Sequence, residues 1–410
     1  MITSRRAPPA IGSRRRFLAT MVLPGLVSAT PHARAQKAPH FKYAQLHTFN
    51  RLDLRWCPKT LLDGVVWGSD GFLYGTSRMG GGHSSGSLYR MDPQSGFYVI
   101  LHKFGKDADD GKYPAGRLVE QANSKERLGV TEAGGRHARG MVFAMRPDGF
   151  IKPLHEFSQE GDGTAPLGAP VPGPDGWWYG VTAAGGAFNL GTLYRLGPAG
   201  EYEILHSFEG ATALDGSDPA GPLVQAPDGW LYGVARAGGG GYGSLFRMAT
   251  DGTYEQLHRF GAGKVGKIPL HALTLAGDGR LYGSTSQGGE HRAGTVFRVG
   301  PGGVPELVHA VDPASDGTLI TGALTPSPDG YLYYAMAFGT GTKKGTLMRL
   351  DPATDETLAV GYVPHDSEGT EVTGTLAISP DGTTLYATMR ESDRERTGGW
   401  GIVFTWTRTR

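Results

Sequence analysis

Six of the 13 histidines in this sequence recur at one place, in segments of the form Leu-His-x-Phe: His47, His102, His155, His206, His258 and, in a degenerate copy, His309. Six imidazoles in register suggest metal ligation. Their distribution argues against it. Each belongs to a different repeat and lies on the outermost strand of its own sheet. Strands are spaced by ~4.8 Å, and a zinc–nitrogen bond spans only ~2.1 Å, so these rings cannot converge on one ion. Strand alternation instead puts each histidine on the same face as the phenylalanine two residues later. The expected role is a packed imidazole bonded to the aspartate of a nearby Asp-Gly segment, such as Asp110-Gly111, Asp162-Gly163 or Asp215-Gly216.

Two further groups could do chemistry. Asp107, Asp109 and Asp110 form the densest acidic cluster, but they lack the regular spacing and terminal bidentate glutamate of a calcium loop. A set of glycine-rich loops carries Arg78, Arg136, Arg139, Arg236, Arg292, Lys343, Lys344, Arg390, Arg394 and Arg396, joined by His83, His137, His291, Tyr242 and Asn189. Guanidinium groups can bind carboxylates through two parallel hydrogen bonds. Arg78, His83, Arg136, His137, Arg139, Arg236, Tyr242, His291 and Arg292 are therefore the candidate ligand-binding residues. No P-loop or HExxH zinc motif is present, and no catalytic, metal or cofactor residue is assigned.

These residues are positioned by a repeat. Gly75, Gly129, Gly180, Gly233, Gly283, Tyr334 and Ala387 mark Leu-Tyr-Gly-like segments spaced by 54, 51, 53, 50, 51 and 53 residues. A second series opens on glycine: GSLYR from Gly86, GMVFA from Gly140, GTLYR from Gly191, GSLFR from Gly243, GTVFR from Gly294, GTLMR from Gly345 and GIVFT from Gly401. Turns such as Pro174-Asp175-Gly176 and Pro227-Asp228-Gly229 separate a first apolar strand from the Leu-Tyr-Gly strand. Seven units of four short strands predict an all-β, seven-bladed β-propeller. The sequence begins on an unpaired fourth strand, Tyr43 to Phe49, and its last unit stops at a third strand ending near Trp406. Pairing the two would close the ring and remove an exposed edge, which an open solenoid would not require. Loops joining second to third strands, and those joining units, should share one end of the propeller.

These motifs resemble the tandem-repeat family named GloVer, a choice-of-anchor tandem repeat family whose units carry LHxF, DGxxP, LYGTT, paired glycines and GTVF. The likeness covers about residues 43 to 406, with departures at Tyr334 and Ala387. It implies an exported, propeller-like repeat protein and supplies no catalytic residues. Members often carry surface anchors, but no sorting tail is seen after Trp406.

Residues 1–35 read as a twin-arginine signal peptide: Arg14-Arg15-Arg16 precedes a short apolar stretch and Ala33-Arg34-Ala35. Its removal leaves 34 basic against 39 acidic residues, a net charge of −5 that disfavours nucleic-acid binding. Residues 36–410 then form a single propeller domain with no transmembrane segment. The 66 glycines exclude a helical bundle, and the lone Cys57 excludes an internal disulfide. The expected product is a periplasmic or secreted monomer that binds an anionic glycan or a protein partner. The alternative is a periplasmic enzyme acting on carbohydrate or another small polar substrate at the channel mouth. A cofactor-dependent oxidoreductase is a third possibility.

Overall fold

Glycines stand opposite aromatic rings throughout the chain, and that pairing sets where its strands meet. The computed structural model describes residues 39–49, 58–59, 63–122, 124–158, 161–210, 215–261, 263–300, 302–390 and 401–409. The expected signal peptide at 1–35, together with Cys57, Arg394 and Arg396, lies outside them. The described residues form strands and turns and contain no helix. In the first unit Val65–Trp67, Leu73–Ser77, Ser87–Met91 and Tyr98–Lys103 pair antiparallel in chain order. The same meander recurs in the following units, giving a propeller-like array of small sheets.

The second and third strands of each unit meet at the glycine of the Leu-Tyr-Gly segment. Gly75 faces Tyr89, Gly129 faces Phe143, Gly180 faces Tyr194, Gly233 faces Phe246 and Gly283 faces Phe297. A Cβ at any of these glycines would lie 2.3–2.5 Å from the opposing ring. The ring therefore rests on bare backbone, a cross-strand arrangement that only glycine permits. In the sixth unit the large residue changes strand, with Tyr334 opposite the pliable Met348. In the seventh, Ala387 faces Phe404. Tyr334 is thus a complementary exchange, whereas Ala387 puts a methyl group opposite a retained aromatic, and both units keep their strands, Leu332–Phe338 and Thr384–Met389.

Successive units are joined by a second glycine contact. Tyr113, Ala165, Asp218 and Ile268, each followed by proline, adopt φ of 59°, 52°, 55° and 56°. Their N–H groups donate to the carbonyls of Ser85, Arg139, Leu190 and Tyr242 in the preceding unit, at 2.8, 3.1, 3.2 and 2.9 Å. The prolines then lie against Gly86, Gly140, Gly191 and Gly243, where a Cβ would come within 2.4–2.9 Å of the ring Cδ. Positive φ is costly for these residue types, and most of all for β-branched isoleucine. The latch holds them there. In units three to six the first strand is split in two, as in Gly163–Pro166 and Val171–Pro172, where sequence patterning predicted one continuous strand; in unit two, which has the same latch, it runs unbroken over Gly111–Glu120.

The histidine–aspartate expectation holds as a hydrogen bond for His102, His206 and His309 and as a close approach for His155. The imidazole Nε2 lies 3.4 Å from the carboxylate for His102 and Asp110, 3.4 Å for His155 and Asp162, 2.9 Å for His206 and Asp215, and 2.7 Å for His309 and Asp316. Each aspartate also caps the inter-unit turn by accepting backbone N–H groups, those of Gly105, Ser158, Gly210 and Asp312 among them. Burial opposes the charge of Asp110 and Asp316, but these donors outweigh it and hold both carboxyls below the usual range. The turn after His258 contains no aspartate from Gly261 to Gly266, and burial alone lowers that imidazole's pKa. The histidines also meet their phenylalanines edge-on, with centroids 4.6 Å apart for His102 and Phe104. His155 and His206 stack on Tyr202 and Tyr254 of the next unit, at 3.8 and 4.0 Å.

Phe41–Phe49 pairs antiparallel with Gly401–Arg408 along its length, from Phe41 opposite Arg408 to Phe49 opposite Gly401. One parallel bridge, Phe41 to Gly361, joins this sheet to the preceding one through Thr357–Val363. On the inner side, Val65–Trp67 packs beside Val372–Ile378, and Gly64 bridges Thr375.

Replacing Gly180 by valine should drive its side chain into the Tyr194 ring and lower unfolding free energy by about 2 kcal/mol or more. Chemical denaturation checks this. Combined with Tyr194→Leu, the loss should fall short of the sum of the two single losses.

Candidate functional site

The inner strands of all the units face a central cavity of about 880 Å³. One position recurs around its wall: Asp63, Gly116, Gly168, Gly221, His271, Gly322 and Gly374. Glycine is favoured there where neighbouring units nearly touch. A Cβ on Gly116 would lie 2.3 Å from the Cα of Gly168, and one on Gly322 would lie 2.6 Å from the nitrogen of Thr375. Only Asp63 and His271 bring side-chain chemistry to this position. The next residue around the wall is small or proline except for Arg117.

A second recurring position closes the Leu-Tyr-Gly strand three residues after its marker glycine. It holds Arg78, Glu132, Ala183, Arg236, Ser286, Ala337 and Arg390 in turn. The residues between it and the glycine are buried strand positions in every unit. Arg78 donates to both oxygens of Glu132, at 3.1 and 2.7 Å, and its guanidinium lies 5.1 Å from the Tyr113 ring centroid. Arg236 lies 3.8 Å from Asp218, and Arg390 lies 2.9 Å from Glu371. Glu132 and Arg236 line the central cavity. Arg390 and Glu371 line a smaller adjoining pocket of about 210 Å³, and His271 borders both spaces.

The electrostatics of the cavity wall are uneven. Asp63 lines the cavity from deep in the molecule, and burial raises its carboxyl pKa; the N–H of Gly116, donated at 2.9 Å, opposes the shift. Burial lowers the Arg117 pKa to about 10, against the pull of Asp63. One Arg117 nitrogen donates to the Val65 carbonyl at 3.2 Å, while its buried Nε has no partner among the described residues. Burial also brings His271 down to about 4, and the nearby Arg236 charge adds to the effect. His271 Nε2 is 3.0 Å from the Ile320 carbonyl. A carbonyl can only accept, so Nε2 carries the proton and Nδ1 is left as an acceptor.

The residues selected from sequence fall into two sets. Arg236 reaches the cavity directly and Arg78 reaches it through Glu132. His83, Arg136, His137, Tyr242, His291 and Arg292 are exposed, and Arg139 half-exposed, in the second-to-third-strand loops of four units. Arg136 pairs with Glu156 at 3.3 Å, and the Tyr242 ring lies 4.2 Å from the Lys267 ammonium. Asp63, Arg117, Glu132 and His271 were not selected from sequence. For Asp63, Arg117 and His271 the signal was present, since most other repeats fill those positions with small or neutral residues; Glu132 shares its position with Arg78, Arg236 and Arg390 and differs from them only in sign. Gly82-His83-Ser84-Ser85-Gly86 also spells a nucleophile-elbow pattern, with Ser84 at φ 57°. However, Ala138, Asn189 and Arg292 adopt 57°, 57° and 59° at the same loop position, and a strand follows instead of a helix. That turn belongs to the repeat. Among the described residues no group of three or more His, Cys, Asp or Glu side chains is placed to hold a metal ion. No helix among them is long and apolar enough to cross a membrane.

The repeat described as Gloeobacter/Verrucomicrobia repeat matches the chain over residues 38–241 and again over 211–404. No curated protein matches it in sequence. Among solved structures, the chain is similar to an oligogalacturonate lyase in complex with manganese, at 12% identity and a TM-score of 0.55, covering 91% of this chain and 97% of that one. It is also similar to a puromycin hydrolase, at 17% identity and a TM-score of 0.52, covering 85% of this chain and 53% of that one. A gluconolactonase from Xanthomonas campestris matches at 12% identity and a TM-score of 0.43, covering 89% and 100%. At these identities the likeness is one of fold.

His271 carries a pH prediction. Its folded pKa of about 4 lies below the ordinary 6.5, so the neutral ring stabilises the fold above pH 6.5 and that contribution is lost as pH falls toward 4. Between pH 7 and 4.5 the loss should be on the order of 2 kcal/mol. His271→Gln, which cannot titrate, should flatten that part of a denaturation-against-pH profile.

Proposed function

The chain belongs to the Gloeobacter/Verrucomicrobia repeat family, and from that premise we propose an exported seven-bladed propeller that binds a glycan at the mouth of its central cavity. The observation that carries this reading is the grouping of charged and polar side chains at three repeat positions, where Asp63, Arg117, Glu132, Arg236 and His271 interrupt a wall otherwise built from glycine, small and aliphatic residues. Structural positions in a repeat must satisfy the same packing in every unit. Charged exceptions grouped around one cavity do not serve that shared packing and suit recognition of a polar ligand. His83, Arg136, His137, Arg139, Tyr242, His291 and Arg292 form the outer rim, and the mouth side chains form the inner contact. Export follows from the twin-arginine pattern at residues 1–35. Closure draws support from the pairing of Phe41–Phe49 with Gly401–Arg408 and from the bridge between Gly64 and Thr375.

A second reading is hydrolysis or elimination at the same mouth. Asp63 is driven toward its protonated form, while Glu132 is held by the Arg78 fork. A carboxyl whose charge burial disfavours, lining the same cavity as a second carboxyl, is an arrangement that general acid–base chemistry can use.

A glycan array followed by calorimetry should give saturable binding that Arg236→Glu weakens at least tenfold. If rim reversals at Arg136, Arg139 and Arg292 abolish binding and Arg236→Glu does not, contact lies on the rim. If no glycan binds, the reading is wrong. Turnover lost on Asp63→Asn would favour the enzyme. Removing residues 41–49 should cause a large loss of cooperative stability in a melting experiment, and an unchanged transition would reject closure.

A further inference from the structure

We propose that the ligand carries carboxylate groups, and that Arg117 and Arg236 are the side chains that bind them inside the central cavity. The inference rests on the cavity-mouth reading above and narrows it to acidic carbohydrate. Not every arginine near the mouth is available. Arg78 spends its fork on Glu132, and Arg390 is paired with Glu371 at 2.9 Å. Arg127 and Arg349 also have a buried Nε without a partner, but their guanidiniums cover the rings of Tyr74 and Tyr331, at 3.5 and 4.3 Å, and lie away from the cavity.

Arg117 and Arg236 differ from these. Both line the cavity and both hold a buried Nε with no partner among the described residues. Neither lies over an aromatic ring there. The nearest carboxylate to Arg236 is that of Asp218 at 3.8 Å, a half-exposed pair that leaves room for a better-placed acceptor. The charge facing Arg117 is that of Asp63, whose ionised form burial disfavours. The cavity is therefore left with unused guanidinium N–H donors, which a planar carboxylate would satisfy.

The same wall argues against a doubly charged anion. Glu132 lines the cavity with the arginines, and a phosphate would meet its repulsion at twice the charge of a single carboxylate. A sugar ring fits the remaining surface. The glycine positions at Gly168, Gly221 and Gly322 present backbone without side chains, and His271 Nδ1 can accept from a hydroxyl. Arg117 and Arg236 come from separate repeats on opposite sides of a third, which suits an oligosaccharide bearing an acid on more than one sugar.

Calorimetry on the purified protein at pH 7 and low salt tests this with three probes: a uronic acid trisaccharide, the same trisaccharide with its carboxyls reduced to alcohols, and inorganic phosphate. The acid should bind at least tenfold more tightly than its reduced analogue, phosphate should not displace it, and Arg117→Gln and Arg236→Gln should each cost at least tenfold. Equal affinity for acid and reduced forms, displacement by phosphate, or full affinity in Arg236→Gln would overturn the inference while leaving a glycan-binding mouth intact. Absence of binding by every glycan would remove that mouth as well. The comparison of acid with reduced sugar uses the unaltered protein, so it decides the matter even if Arg117→Gln does not fold.

Discussion

Everything at the centre of this molecule depends on how one repeat grips the next. A residue forced to positive φ donates its N–H to the preceding unit, and the proline after it lies on a glycine that could carry no side chain. Proline ordinarily pushes the residue before it toward extended backbone, so the conformation at Tyr113, Ala165, Asp218 and Ile268 is held by the neighbouring unit. The contact is small and repeated. Its consequence is that the four inner strands that carry it arrive at the cavity in the same orientation, and the residues just beyond the latch form a common wall.

That wall explains why so few side chains are candidates for function. Close approach of adjacent inner strands leaves space for glycine at most units, as the contact between Gly116 and Gly168 shows. Where aspartate or histidine occupies the same position, burial works against its charge. Residues that are unfavourable for the fold and gathered at one cavity are the pattern expected where stability has been exchanged for recognition or chemistry.

The architecture was readable from sequence because its determinants are local and repeated. Glycine opposite an aromatic, Asp-Gly turns and the histidine two residues before phenylalanine each appear several times, and the structure supplies the contact behind each. The split first strands, and the latch between residues about 27 apart in adjacent units, Tyr113 and Gly86 among them, were not readable, since neither is a property of one segment taken alone. The candidate site was only half readable. Arg78 and Arg236 share a residue type and a loop neighbourhood with Arg136 and Arg292, and composition cannot distinguish a guanidinium facing inward from one in solvent. Asp63 and His271 were hidden for a different reason: they stand in segments that otherwise read as ordinary apolar strands.

The partnership of Phe41–Phe49 with Gly401–Arg408 joins distant positions, Ala44 and Thr405 among them, 361 residues apart. Few contacts in a chain of this size are less local, and loop-closure entropy must be overcome before such a contact can form. A ribosome adding roughly 5–20 residues per second would expose the early strand about 20–70 s before its mate exists. During that interval its hydrogen-bonding edge is open to any extended segment, including the same strand of a neighbouring nascent chain. Aggregation during synthesis, rather than unfolding of the finished protein, is therefore where this architecture is most vulnerable.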